Sequence, residues 1–266
     1  MDARHLLQAL SEHPRLSHIS LETLLRFIRF ALLAKPTIHF HTVDGRRPLA
    51  IPPLSIQLLL SQCTGVDIET TKVLWGGLKD VVWSLREVSD PSEEEIMEYN
   101  KYALPLGTCY HHLYPPVRVC QTKGCGNHRE DNDVRTLGDP ITYKGSLFTL
   151  RKGALPVYTS SLYCFKCNRR YHLNYAVHAQ SDTEEYYAGV PSVIQTSKHH
   201  FLDTALLEYV TYSMVFGWLS ARNLARIYNL SIGSLQSVHR NNERAFGPFF
   251  PCLNLHIDHW QTSLNL

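Results

Sequence analysis

Residues 146–177 read SLFTLRKGALPVYTSSLYCFKCNRRYHLNYAV. Residues 146–151 alternate like a strand, Lys152 and Gly153 suit a turn, and residues 154–163 return as a second extended run interrupted by Pro156. Residues 171–177 make a third run. Between the second and third runs lie Cys164 and Cys167, followed by Asn168, which tolerates positive φ. A second pair, Cys120 and Cys125, stands upstream in CQTKGCG, with Gly126 behind it. Each pair is short enough for both sulfurs to reach one ion, and 38 residues separate the pairs. A chain that folds thiolates around a metal must curl its backbone back under the sulfurs, which is what Asn168 and Gly126 permit. The pattern predicts one structural zinc ion held by Cys120, Cys125, Cys164 and Cys167, with knuckles at the tips of a small zinc-ribbon-like β-hairpin module.

The same cysteines admit other readings. Cys164-x-x-Cys167 could be a redox pair, but such a motif normally opens a helix after a strand, and Asn168-Arg169-Arg170-Tyr171 is poor helix-start chemistry. A disulfide would need an oxidising compartment, and the opening residues MDARH do not read as a secretory signal. Unrelated buried cysteines are the remaining reading. His128, His172, His111 and His112 stand near enough in sequence to substitute for a cysteine. Cys63, Cys109 and Cys252 read as small buried apolar residues.

Net charge is only +2 over 266 residues, but it is unevenly spread. Residues 1–100 carry 10 basic and 13 acidic side chains, residues 101–180 carry 11 and 4, and residues 181–266 carry 5 and 7. The cysteine segment is therefore the basic part of the chain, and its surplus suits phosphates. Arg118, Lys123, Arg151, Lys152, Lys166, Arg169 and Arg170 are the candidate phosphate contacts, with Tyr163 and Tyr171 able to stack or to pack. No apolar run reaches the roughly 18 residues of a membrane span; the longest, residues 21–34, is broken by Arg26 and Arg29.

The chain reads as α+β, mainly helical at both ends around a central cysteine module, with boundaries at 1–104, 105–200 and 201–266. Leu6, Leu7 and Leu10 mark a first helix. Ser20 can cap a second, ended by Lys35-Pro36, and residues 36–53 read as a loop or small hairpin turning at 43–46. Residues 54–63 suit another helix. Asp67 can cap a longer one through residue 86, in which Gly76-Gly77 either weakens the helix or permits close packing. Ser92 followed by three glutamates opens one more, and Asp203 and Ser220 open helices after the cysteine segment. Residues 220–242 fit a helix-turn-helix: Ala225 at the crossing, Asn229 in a left-handed turn, Leu230 buried behind it, and Ser231 capping a second helix whose outer face could read DNA. Two ordinary packed helices would show the same spacing.

No phosphate-cradling glycine loop, HExxH or nucleophile elbow is present in the sequence. Asp258, in HIDHW, stands between histidines without a constellation around it. Four cysteine ligands would leave no open metal position for water, so the chain is not expected to be an enzyme, and no small-molecule substrate is expected.

Four stretches carry a family resemblance: LYPPVRVC at 113–120, GALPVYTSSLYCFKCNRRYHLNY at 153–175, YYAGVPSVIQTSKHHF at 186–201, and FGWLSARNLARIYN at 216–229. They are similar to the fifth class of CxC-type cysteine clusters associated with KDZ transposases, over roughly residues 75–229. The resemblance implies a fungal, transposon-derived protein, zinc on Cys120, Cys125, Cys164 and Cys167, nuclear DNA as the destination, and DNA or a transposase-related protein as the partner. It carries over no catalytic carboxylates. A docking domain with purely structural zinc and no nucleic-acid contact is the alternative.

Overall fold

Ser20, Asp67, Ser92, Asp203 and Ser220 stand in extended backbone, and each accepts a hydrogen bond from the N–H three residues on. Five helices thus begin where a short polar side chain satisfies an otherwise orphaned donor. The computed structural model describes residues 14–16, 18–42, 47–85, 91–126, 137–181 and 183–232. The first helix expected around Leu6, the turn at 43–46, His128, Cys252, Asp258 and the second helix of the helix-turn-helix lie outside these residues. The chain divides into two compact units, residues 1–112 and 113–266.

The first unit is helical: α1 (Leu21–Phe40), α2 (Leu54–Thr64), α3 (Ile68–Ser84) and α4 (Glu93–Ala103). Their inward faces bury Phe27, Ala34, Ile38, Ile56, Leu59, Leu74, Trp75, Leu78 and Tyr99 in one cluster. The expected stop at Lys35-Pro36 is overridden, and α1 runs four residues further with Pro36 inside it. Burial offsets the lost hydrogen bond, since Thr37 and Ile38 both sit in the interior. Lys35 adds a tether, its ammonium donating to the carbonyls of Val82, Trp83 and Leu85 at 3.1, 3.0 and 2.8 Å, which satisfies the exposed C-terminal end of α3. Arg29 forks onto both oxygens of Glu95 at 2.6 and 2.7 Å, and Glu95 also completes the capping box with Ser92. Close packing does not explain Gly76 and Gly77, because a Cβ at either would meet nothing within 4 Å.

The second unit combines a sheet with two helices. Its strands are β1 (Gly138–Thr149), β2 (Gly153–Cys164), β3 (Arg169–Tyr171), β4 (Tyr175–His178), β5 (Glu184–Tyr186), β6 (Val193–Ser197) and β7 (His200–Asp203). They lie in the order β5-β4-β3-β2-β1-β7-β6. All neighbours are antiparallel except β1 and β7. Strand β1 begins eight residues earlier than its alternation suggests, with Thr142 bonded across to Ser160 at 2.7 Å. Pro156 sits opposite Ser146. The Ser146 N–H points the other way, to the His199 carbonyl at 2.8 Å, so the ladder between β1 and β2 loses no donor there. Gly145 makes this crossing possible: a Cβ would stand 2.7 Å from the His199 carbonyl oxygen.

One face of the sheet packs under α5 (Thr204–Gly217) and α6 (Ala221–Ser231), which bury Leu206, Val210, Leu224 and Tyr228 against Phe148 and Leu202. The other face curls inward. Asn174, in the turn between β3 and β4, donates to the Val193 carbonyl at 2.9 Å and accepts from the Gln195 N–H at 2.7 Å. This buried amide thereby ties the far edge strand β6 back towards β4. The cysteine segment is accordingly part of a rolled sheet rather than a free-standing three-run hairpin module. The turn expected at Asn229 does not form either. Helix α6 continues through Asn229 to Ser231, and Leu230, expected to be buried, is 77% exposed.

Candidate metal centre

The turn between β2 and β3 is the second knuckle. Cys164 pairs with Arg169 across it, and Asn168 takes positive φ at +54°, as its chemistry allows. In the first knuckle the left-handed residue is Gly124, φ +75°, rather than the expected Gly126. The turn closes inside the cysteine pair, with the Cys125 N–H donating to the Thr122 carbonyl at 3.1 Å, so the reversal falls between the ligands instead of after them.

These two turns bring four sulfurs together. The Sγ atoms of Cys120, Cys125, Cys164 and Cys167 all lie within 4.8 Å of one another. Cys120 and Cys167 approach to 3.5 Å, and Cys125 and Cys164 to 3.9 Å. None of the four is in a disulfide. A tetrahedron of sulfurs about 2.3 Å from a central ion has edges of about 3.8 Å, so the spacing and the donor set fit a metal ion. His172 is not part of the group; it stacks on Tyr175 with ring centroids 4.8 Å apart. His111 and His112 belong with or border the helical unit, and burial holds His112 down to about 3. Cys63 and Cys109 are buried, as expected of small apolar residues; burial pushes the Cys63 thiol up to about 12.

A shell of donors surrounds the sulfurs. The Tyr171 hydroxyl lies 3.3 Å from Cys120 Sγ and accepts from the Gln121 N–H at 2.9 Å. The Thr122 N–H donates to Cys120 Sγ at 3.4 Å. Burial pushes the Cys120 thiol up, but the hydrogen bonds from Tyr171, Thr122 and Cys167 outweigh it and bring the group down to about 6. Cys167 moves the other way: burial, with its neighbours Cys120 and Cys164, drives it up to about 12. Packed this closely, one thiolate discourages the next, and a dication removes that conflict by compensating both. Such outer hydrogen bonds orient and tune metal ligands. Tyr171, fully buried, is therefore a structural support of the cluster and not a stacking surface.

The seven candidate phosphate contacts fare unequally. Arg169 pairs with Glu185 and lies over the Tyr171 ring at 5.8 Å. Arg170 pairs with Asp139 at 2.9 Å, bonds Ser161 at 3.2 Å, and lies over Tyr163 at 5.0 Å. Both guanidiniums are thus committed within the protein. Burial lowers Arg118, which is only partly exposed. Lys123, Arg151, Lys152 and Lys166 are exposed, with Lys123 and Lys166 inside the two knuckles. Sequence reasoning missed the supporting role of Tyr171; its place in the strand that follows the second knuckle was the one available signal. Among the described residues, no helix is long and apolar enough to cross a membrane.

No curated protein and no solved structure matches this chain. A family model does, from residue 108 to residue 232, a shorter and later span than the resemblance suggested. The four sulfurs gather inside that span, and residues 108–232 match the model of the CxC5 like cysteine cluster associated with KDZ transposases.

Proposed function

We propose that residues 108–232 form a zinc-stabilised module of a transposon-derived protein that contacts DNA through the cations around its knuckles. The carrying observation is the four-sulfur group, all within 4.8 Å. Zinc suits a closed all-thiolate tetrahedron, and such a shell has no open position for a reacting water, so the module acts by binding and not by catalysis. Lys123 and Lys166 project from the knuckles themselves, where the ion fixes the backbone that carries them. The association with transposases makes nuclear DNA the fitting destination.

Metal analysis of the purified protein beside a Cys164→Ser, Cys167→Ser variant tests the first half: about one zinc per chain, lost in the variant, is the expected result. A gel shift with random duplex at low salt tests the second. Charge reversal at Lys123 and Lys166 should flatten the salt dependence of binding by roughly one unit for each phosphate no longer neutralised. Arg169 and Arg170 are the wrong pair to reverse, because the change would also break their ion pairs with Glu185 and Asp139.

A second reading has its own support. Tyr212, Val215, Phe216 and Trp218 on α5 and its end are 59, 55, 76 and 91% exposed, an apolar stripe of the kind that marks protein contacts. On that reading the metal only holds a docking surface for a transposase-related protein, and no duplex is shifted at micromolar protein.

A further inference from the structure

The inward face of the rolled sheet is two different places. At one end Leu147, Val157 and Phe201 close it with a small apolar core. Towards the other end the strand registers continue the same face, but the side chains turn polar and aromatic. Tyr143 stands opposite Thr159, and Tyr175 opposite Tyr186. Together with Ser161, His172, Gln195 and the carboxylate of Glu184 these line a cleft of about 380 Å³.

Its most specific feature is a flat platform. The His172 and Tyr175 rings stack at 4.8 Å with 20° between their planes. The turn that carries them is fixed from behind: the Tyr187 hydroxyl donates to the carbonyls of both residues at 3.1 Å. The amide of buried Asn174, between them, ties the same turn to β6. Burial, then the charge of Arg170, lowers the His172 pKa, which favours a neutral ring for stacking. Across the cleft Lys198 places its ammonium 4.4 Å from the centre of the Tyr143 ring. A cationic ligand is disfavoured, since that aromatic face already carries a cation. The Glu184 carboxylate is taken up by the Tyr186 hydroxyl at 2.6 Å, so the cleft suits a flat π-system with polar edges whose attached anion lies at the Lys198 end, away from Glu184.

We propose that this cleft takes one unpaired nucleotide, its base stacked against the His172–Tyr175 platform, its edge facing Gln195 and Ser161, and its phosphate near Lys198. The proposal rests on the nucleic-acid reading above but uses a different surface, and it adds the substrate form: single-stranded or locally opened, since a stacked platform reads the face of a base that a duplex hides.

Fluorescence anisotropy with a labelled short oligothymidine and, separately, a labelled duplex tests it on the full chain. Tyr175→Ala should weaken the single strand by roughly 5- to 150-fold, the span for one stacked base, while Tyr175→Phe retains wild-type affinity and duplex binding is unchanged. Lys198→Ala should weaken the single strand and flatten its salt dependence. Duplex binding with single-strand binding absent, or indifferent to Tyr175 and Lys198, overturns the cleft and leaves the knuckle surface standing. Single-strand binding that depends on Tyr175, with no duplex shift, sustains the cleft and removes the knuckle surface. Equal loss on both probes in Tyr175→Ala overturns the proposal, because it marks damage to the whole module. Binding of neither probe, or of a trimethyl-lysine peptide in their place, overturns it as well.

Discussion

Of the largest fully buried side chains among the described residues, Trp75, Tyr99, Phe27, Ile38, Ile56, Leu59, Leu60, Leu74 and Leu78 belong to the helical unit, and only Tyr171 and Phe201 to the sheet unit. Even Tyr171 spends its hydroxyl on Cys120. The helical unit is stabilised by apolar area and finished by caps and ion pairs. The sheet unit spreads its apolar groups over two faces of a curled layer and leaves one end of the inner face polar. It has less of the hydrophobic term that ordinarily offsets chain entropy, and it has the four sulfurs. The difference teaches where a bound metal would matter: in the part of a chain whose own core is divided.

The sharpest way to break that comparison is to deny the four sulfurs a metal. A structural zinc contributes an apparent binding energy of about 10–16 kcal/mol in small sites, against a domain stability of about 5–15 kcal/mol. Strong chelation, or Cys164→Ser with Cys167→Ser, should expose the amides of residues 138–203 to hydrogen exchange and leave those of α1 to α4 protected. Equal loss in both units would erase the contrast. Next in size is Gly145→Ala. Its Cβ would press on the His199 carbonyl at 2.7 Å and the Phe201 ring at 2.9 Å, so denaturant unfolding of the sheet unit should shift by about 1–3 kcal/mol, with no shift in the helical one.

A pH titration separates the units through Glu95. The hydrogen bonds from Arg29, working against burial, hold its carboxyl down to about 2, below the usual value of about 4.3. The folded state therefore binds this proton less readily than the unfolded one. Stability from the pair is fully present above about pH 4.3 and drains away as pH falls towards 2. For this partly exposed pair the loss should be up to about 1 kcal/mol, read as falling helical-unit stability that Glu95→Gln makes less sensitive to pH, the remaining slope coming from groups such as Asp67, which hydrogen bonds from Thr70 also hold low. The smallest effect is a gain: Gly76→Ala should stabilise α3 by about 0.5–1 kcal/mol, because its Cβ meets nothing within 4 Å, and thermal melting would show it.

Which features were legible follows from their range. Caps are local, and Ser20, Asp67, Ser92, Asp203 and Ser220 all act where their chemistry predicts. The cysteine pairs are nearly local too, since each knuckle is a single turn. Pro36 misled because helix-stopping is a propensity, and burial of Thr37 and Ile38 in the tertiary core outweighed it. The curl of the sheet depends on Asn174 meeting Val193 and Gln195, and on Gly145 meeting His199. Neither contact leaves a periodic trace. The cleft is harder still, because Tyr143, Tyr175 and Gln195 come from three strands and become neighbours only after the sheet has rolled. At Asn229 the template was right about the residue's tolerance for a left-handed turn and wrong that the residue uses it.

The order of the ligands along the chain sets a timetable for synthesis. Cys120 and Cys125 leave the ribosome first and can offer an ion only half a shell. Nearly all of both long strands emerges before Cys164, the last residue of β2, and Cys167 arrive to complete it. A metal bound by all four would therefore close a hairpin whose strands are already made, and could not be what starts it.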